Sequence, residues 1–165
     1  MQEKKIVIMC GGRGTRLGSL TENTPKPLVK IKDYSILEYK LKFYNKQGFS
    51  DYIFCTGYKG NKIKKKLINL GYSGIFSNMG LDPGILARLF FVRNYITQST
   101  IISYGDTYAE IDFNDLISEH KKSKALITLV ITSISHPFGL ISLNKRNRVT
   151  SFKEKPLLNH YIGYA

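Results

Sequence analysis

The sequence predicts an α/β fold with a mostly parallel sheet and helices on its faces, on three observations. Short apolar runs alternate with amphipathic stretches of helical period. The first run opens directly into a glycine cluster, the arrangement of a strand feeding a ligand loop at the carboxyl edge of an open sheet. The chain has 165 residues, 42% hydrophobic and 22% charged, an ordinary globular composition sufficient for a full core. No repeat, proline-rich linker or low-complexity segment interrupts it, so one domain over 1–165 is expected.

Residues 6–10 form the first buried strand and run into Gly11, Gly12 and Gly14. A helix is expected over 35–47, where Ser35 and Glu38 have the spacing of a capping box. Ile36, Leu37, Leu41 and Tyr44 recur along it at helical intervals, and Gly48 ends it. A strand follows at 52–55. The next helix, 61–70, would turn Ile63, Leu67, Ile68 and Leu70 inward and four lysines outward. Asp82 and Pro83 read as the cap and first position of a third helix carrying Ile85, Leu86, Leu89, Phe90 and Tyr95. Residues 100–104 form another buried strand, stopped by Gly105 and Asp106, and 113–122 a helix with Asp112 as its cap. The last third is strand-like at 125–133, 138–143 and 148–152, with a turn at 144–147.

Charge is the unusual quantity. Twenty-five Lys and Arg against 12 Asp and Glu give +13, which favours anionic partners: nucleic acid, a membrane surface or a phosphorylated small molecule. No apolar run approaches the roughly 20 residues that span a bilayer, and the charged N-terminus lacks the long apolar core of a signal peptide, so a cytoplasmic setting without a membrane partner is expected. Cys10 and Cys55 each lie inside an apolar run and read as reduced core thiols. The histidines His120, His136 and His160 are scattered, and no Ser-His-Asp pattern occurs.

The segment Gly11-Gly12-Arg13-Gly14-Thr15-Arg16-Leu17 stands where phosphate is handled in such folds. Glycines let backbone NH groups approach an anion, and Arg13 and Arg16 supply charge-assisted hydrogen bonds to phosphate oxygens. It is not a P-loop, because no Gly-Lys-Ser/Thr follows, and Leu17 occupies the third glycine position of the dinucleotide fingerprint. Downstream, Pro25-Lys26-Pro27 sets a lysine between two prolines. Pro27 disfavours the helical region for Lys26, so an extended, preorganised lysine is expected there. Asp106, just past a buried strand, would share the sheet edge with the glycine loop and could hold Mg²⁺ against a triphosphate.

Together, Gly11 to Leu17 and Pro25-Lys26-Pro27-Leu28 resemble the signature of the sugar-1-phosphate nucleotidyltransferases. The resemblance implies a Rossmann-like three-layer nucleotidyltransferase fold and a transfer of a nucleoside monophosphate to a phosphorylated acceptor with release of pyrophosphate. It makes Gly11, Gly12, Arg13, Gly14, Thr15, Arg16, Lys26 and Gly105 nucleotide contacts, with Arg16, Lys26 and Asp106 as the catalytic set and Asp106 as the Mg²⁺ ligand. Phe152-Lys153-Glu154-Lys155-Pro156 is similar to the family's acceptor segment, which makes Glu154 and Lys155 acceptor residues.

The stretch from Cys55 to Gly60 and the run Leu86-Ala87-Arg88-Leu89 resemble the glucose-1-phosphate cytidylyltransferases, which favours CTP and places Arg88 near the base. A place in surface-polysaccharide precursor synthesis would follow. The glycine pattern at 78–84 departs from the sugar enzymes, so a non-sugar acceptor such as phosphoglutamine or phosphocholine is an alternative. Family members continue well past Glu-Lys-Pro, with more strands and a second metal-binding aspartate, so a C-terminal part is expected to be lacking. A catalytically weak nucleotide-binding module and a nucleic-acid binder are the other readings. The second rests on charge alone and has no motif, and a homo-oligomer stays open.

Overall fold

The computed structural model describes residues 5–96 and 100–163, with backbone alone at 159, 160 and 162. The charged residues ahead of the first strand and the side chain of His160 therefore lie outside the described residues. Contacts divide the chain into two compact units, residues 1–124 and 125–165, where the sequence showed no boundary.

In chain order the first unit contains β1 (Lys5–Cys10), β2 (Lys30–Ile31), β3 (Tyr34–Ser35), α1 (Ile36–Lys46), β4 (Asp51–Thr56), α2 (Gly60–Asn69), β5 (Ile75–Asn78), α3 (Ile85–Phe91), β6 (Thr100–Tyr104) and α4 (Phe113–Ser123). Its sheet has the order β5-β4-β1-β6 and is parallel throughout. Both faces are covered, as continuous apolar strands require. On one face Ile6, Ile8, Tyr52 and Phe54 pack with Leu37, Leu41 and Tyr44 of α1, Ile63 and Leu67 of α2, and Phe113 of α4. On the other, Val7, Met9, Ile53 and Cys55 meet Val92 and Leu89. The α/β class with a central parallel sheet is as the sequence predicts.

This strand order positions the site. The chain runs from β1 outward through β4 to β5, then returns to add β6 on the other side of β1. The loops leaving β1 and β6 therefore lie side by side at the carboxyl edge of the sheet, at the point where the strand order reverses, which is where open α/β sheets bind ligands.

Local chemistry accounts for most element boundaries. Ser35 Oγ accepts from the Glu38 NH, and the Glu38 carboxylate accepts from the Ser35 NH at 2.8 Å, the expected capping box. Asp112 caps α4 by accepting from Asn114 and Asp115. Gly48 and Gly71 follow their helices with positive φ.

Four expectations for the first unit need correction. Gly84, not Asp82, precedes α3, and that helix ends at Phe91 in a short 3₁₀ turn, so Tyr95 lies beyond it. In α2 only Ile63 and Leu67, four residues apart, face the core; Ile68 and Leu70 fall off that stripe and are exposed. Lys62 and Lys66 of that helix are not simply solvated, since Lys62 donates to the Asn23 carbonyl and Lys66 pairs with Glu38 at 3.2 Å. Lys26 opens a 3₁₀ turn, Lys26–Leu28, instead of an extended segment. Pro27 is tolerated because the first NH groups of a helical turn have no internal partner, while Pro25, at ψ 141°, is the extended residue.

The second unit holds β7 (Ile131–Ser135), β8 (Leu140–Leu143), β9 (Val149–Lys153) and β10 (Leu157–Gly163). β7 pairs antiparallel with β10, and β8 with β9 across the expected turn. Residues 125–130 are not strand, and β10 was not anticipated.

Candidate active site

The loop leaving β1 is shaped by what surrounds its glycines. Gly14 takes φ +71°, and a Cβ there would lie 2.8 Å from Lys26 Cβ, so the glycine leaves room for the lysine side chain to pass against the loop. The Leu17 NH donates to the Gly14 carbonyl, and the Thr21 hydroxyl donates to the carbonyls of Gly14 and Gly18, both at 3.1 Å. Gly105, on the turn after β6, has its NH on the Met9 carbonyl, and a Cβ there would stand 2.5 Å from Cys10 Sγ. The two loops are thus held against neighbouring strand ends.

Between them lies a cleft of about 320 Å³ lined by Gly11, Gly12, Gly14, Thr15, Arg16, Lys26, Arg88 and Asp106, with Leu81, Pro83 and Ile85 also in its lining. Eight of the residues singled out in the sequence converge there, from positions as far apart as Gly11 and Asp106. Lys26 Nζ meets Asp106 Oδ2 at 2.5 Å, with both side chains partly exposed. A cation and a carboxylate thus share the lining of one cleft with a glycine-rich loop. The combination suits a polyanion whose charge is offset by a lysine and by a metal on the carboxylate.

Arg13 is exposed, its guanidinium 5.8 Å from the Tyr58 ring centroid. Glu154 and Lys155 lie in the second unit and are exposed, Lys155 with φ +40°. Arg88 lines the cleft yet is buried, and its donors are engaged: Nη1 donates to Thr56 O, Nη2 to Gly80 O and Nε to Pro83 O. Its guanidinium lies flat against Gly11, where a Cβ would come within 2.5 Å of Cζ. Arg88 therefore ties the end of β4, the loop before α3 and the glycine loop into one wall.

Sequence reasoning missed two groups. Tyr58 donates to the carbonyls of Thr21 and Glu22, Lys59 to Glu22 and Lys62 to Asn23, so the start of α2 grips the segment leading to Lys26. Lys40 is buried in α1 beneath the β6 turn. Burial pushes its ammonium down to about 8, against the opposing effect of Cys10 and Asp106. Burial also raises Tyr44 to about 12 and pushes the Cys10 thiol far up, so both are neutral at physiological pH. Both cysteines are free and buried. Among the described residues, no group of three or more His, Cys, Asp or Glu could hold a metal, and no helix is long and apolar enough to cross a membrane.

The nucleotidyl transferase family matches residues 5–165. The chain is 33% identical to a glucose-1-phosphate cytidylyltransferase of Salmonella typhimurium, over 92% of its own length and 69% of the relative's. It is 31% identical to the D-glycero-alpha-D-manno-heptose 1-phosphate guanylyltransferase of Campylobacter jejuni, over 92% and 68%. Its fold is similar to the crystal structure of HddC from Yersinia pseudotuberculosis complexed with GMP-PN, with a TM-score of 0.63 and 23% identity over 92% of this chain and 69% of that one.

Proposed function

The chain belongs to the nucleotidyl transferase family, among the sugar-1-phosphate nucleotidyltransferases and near the cytidylyltransferases, and on that premise we propose that it transfers CMP from CTP to a sugar 1-phosphate. A phosphate oxygen of the acceptor attacks the α-phosphorus; the new P–O bond forms as the bond to the β-phosphate bridging oxygen breaks, and pyrophosphate leaves. The observation that carries the reading is the Lys26–Asp106 pair lining one cleft together with the glycine loop.

The attacking phosphate is already ionised, so the reaction needs no protein nucleophile and little proton transfer; positioning and charge neutralisation remain. Arg16 and the amides from Gly11 to Thr15 hold the triphosphate. Lys26 offsets charge at the α-phosphate in the same cleft. Asp106 fits a magnesium ion: Mg²⁺ prefers hard oxygen donors and takes only one or two carboxylates, completing its shell with phosphate oxygens and water. Such an ion supplies Lewis-acid neutralisation of the triphosphate. Because Asp106 is paired with Lys26, nucleotide binding must loosen that contact, leaving the lysine for phosphate and the carboxylate for the cation. Arg88 keeps the base-side wall in shape. Glu154 and Lys155 are the acceptor-side candidates by family pattern.

CTP is favoured by the motifs at 55–60 and 86–89 and by cytidylyltransferase relatives. A second reading, GTP with a heptose 1-phosphate, is favoured by the guanylyltransferase relative at 31% identity. A matrix of nucleoside triphosphates against glucose 1-phosphate, a heptose 1-phosphate and phosphocholine, scored for pyrophosphate, separates them. Lys26→Ala and Asp106→Asn are each expected to lower kcat/KM by at least about a hundredfold, in the range seen when one electrostatic stabiliser is removed. Full activity in both variants overturns the site assignment.

A further inference from the structure

We infer that Lys40 is a positioning residue that fixes the turn carrying Asp106, so that the carboxylate meets a metal–nucleotide complex in a set geometry. The inference rests on the reading of Asp106 as the metal ligand.

On α1, Leu37, Lys40, Leu41 and Tyr44 share the face turned to the sheet, and three of the four are what a core stripe requires. A lysine in the fourth place costs desolvation free energy that a leucine would not, and Lys40 is only 4% exposed. The oxygens around its ammonium all come from one short segment. Nζ donates to Ser103 Oγ at 2.6 Å, to the Tyr104 carbonyl, and to Thr107 Oγ1 at 3.4 Å. Residues 103, 104 and 107 bracket Asp106, so one ammonium grips the turn on both sides of the carboxylate.

Tyr44 reinforces the grip by donating its hydroxyl to the same Ser103 Oγ at 2.8 Å. From the β1 side the Gly105 NH is held by the Met9 carbonyl at 2.9 Å. The turn is clamped from two directions, and Asp106 leaves it toward Lys26. Around a metal, groups that orient a ligand without touching the ion change affinity by about 10–100-fold when removed. A residue that only filled the core would leave metal affinity unchanged.

The test uses the full chain with Mn²⁺ as probe and CTP or GTP present, bound metal being read by electron paramagnetic resonance and folding by thermal melting. Lys40→Met keeps the volume and removes the charge and donors. It is expected to melt within a few degrees of the parent while weakening Mn²⁺ binding about tenfold. In an Asp106→Asn background the same substitution is expected to add nothing, because both act through one carboxylate. Unchanged Mn²⁺ affinity in Lys40→Met, or an equal loss with and without Asp106, overturns the inference. If Lys40→Met does not fold, Ser103→Ala with Thr107→Val removes the partners from the turn instead, under the same two criteria. Mn²⁺–nucleotide binding without pyrophosphate release from any acceptor would refute the proposed reaction while leaving the Lys40 result readable. Absence of Mn²⁺ binding by the parent with either nucleotide overturns both.

Discussion

At the scale of single residues, Gly11 and Arg88 are one device. Arg88 has a formal charge in a buried position, yet its partners are three carbonyls: Thr56 at the end of β4, and Gly80 and Pro83 in the loop before α3. A planar fork can bridge such dispersed acceptors where a lysine cannot. The cost of this arrangement falls on Gly11, whose Cα the guanidinium covers: a Cβ would sit 2.5 Å from Cζ and 2.8 Å from Nε and Nη1. Because the guanidinium is anchored at three points, it has little room to move. Gly11→Ala is therefore expected to lower stability by about 1–3 kcal/mol, as overpacking does. In an Arg88→Met background the flexible thioether yields, and the added methyl should cost less than half as much. Denaturant midpoints of the two single variants and the double variant measure this coupling, and strict additivity would show that the two residues do not press on each other.

At the scale of elements, α1 links the fold to the site, with its cap fixed at one end and Lys40 beneath the turn that carries Asp106. Glu38 is buried, and burial alone would raise its carboxyl; the Ser35 side chain and backbone NH and the Lys66 ammonium outweigh that and hold it below the ordinary carboxylate value. A carboxylate depressed in the folded state contributes stability above its unfolded value and loses it as pH falls through the folded value. Glu38→Gln keeps an acceptor for Ser35 but removes the charge, so it should cost about 1 kcal/mol at pH 7. That difference should vanish in acid below the folded pKa, as followed by urea midpoints across pH. A constant difference down to pH 2 would assign the cost to packing. The cap was legible in the sequence because Ser35 and Glu38 are three residues apart, and the glycine loop, Lys26 and Asp106 because their order is local to strand ends. β5 was missed because four residues, Ile75–Asn78, are too short to show a period. The 3₁₀ turn at Lys26 was missed because a proline rule about φ and ψ says nothing of the hydrogen bond that closes it. The Lys40 and Tyr58 contacts were illegible for another reason: they join residues 36 to 67 positions apart, and a lysine on a core stripe gives no sign of which carbonyl it will meet.

At the scale of the whole molecule, the +13 charge acts as a long-range field, but many of its donors are engaged inside the fold. Lys40 and Arg88 are buried, Lys59 and Lys62 grip carbonyls, and Lys5, Lys26, Lys66 and Lys122 face carboxylates. A hydrogen bond to a carbonyl leaves the charge in place, so an anion is still drawn in from a distance, while fewer ammonium groups are free to clasp a phosphate backbone. This separates the two anionic partners that composition left open. A nucleoside triphosphate bound in one cleft makes few phosphate contacts, so raising salt from 50 to 200 mM should raise its KM only a few-fold. An oligonucleotide held by 6–10 phosphate contacts would lose roughly a thousandfold or more in affinity over the same range. Arg16→Ala divides them further: it should raise the KM for the nucleotide at either salt concentration, while weak oligonucleotide binding, spread over other faces, should not change. The measurement is a salt series of steady-state kinetics beside fluorescence anisotropy with a labelled single strand. Tight oligonucleotide binding at 200 mM that disappears with Arg16→Ala would mean that the glycine-loop cleft is itself a nucleic-acid site, and the small-molecule reading of the charge would fall.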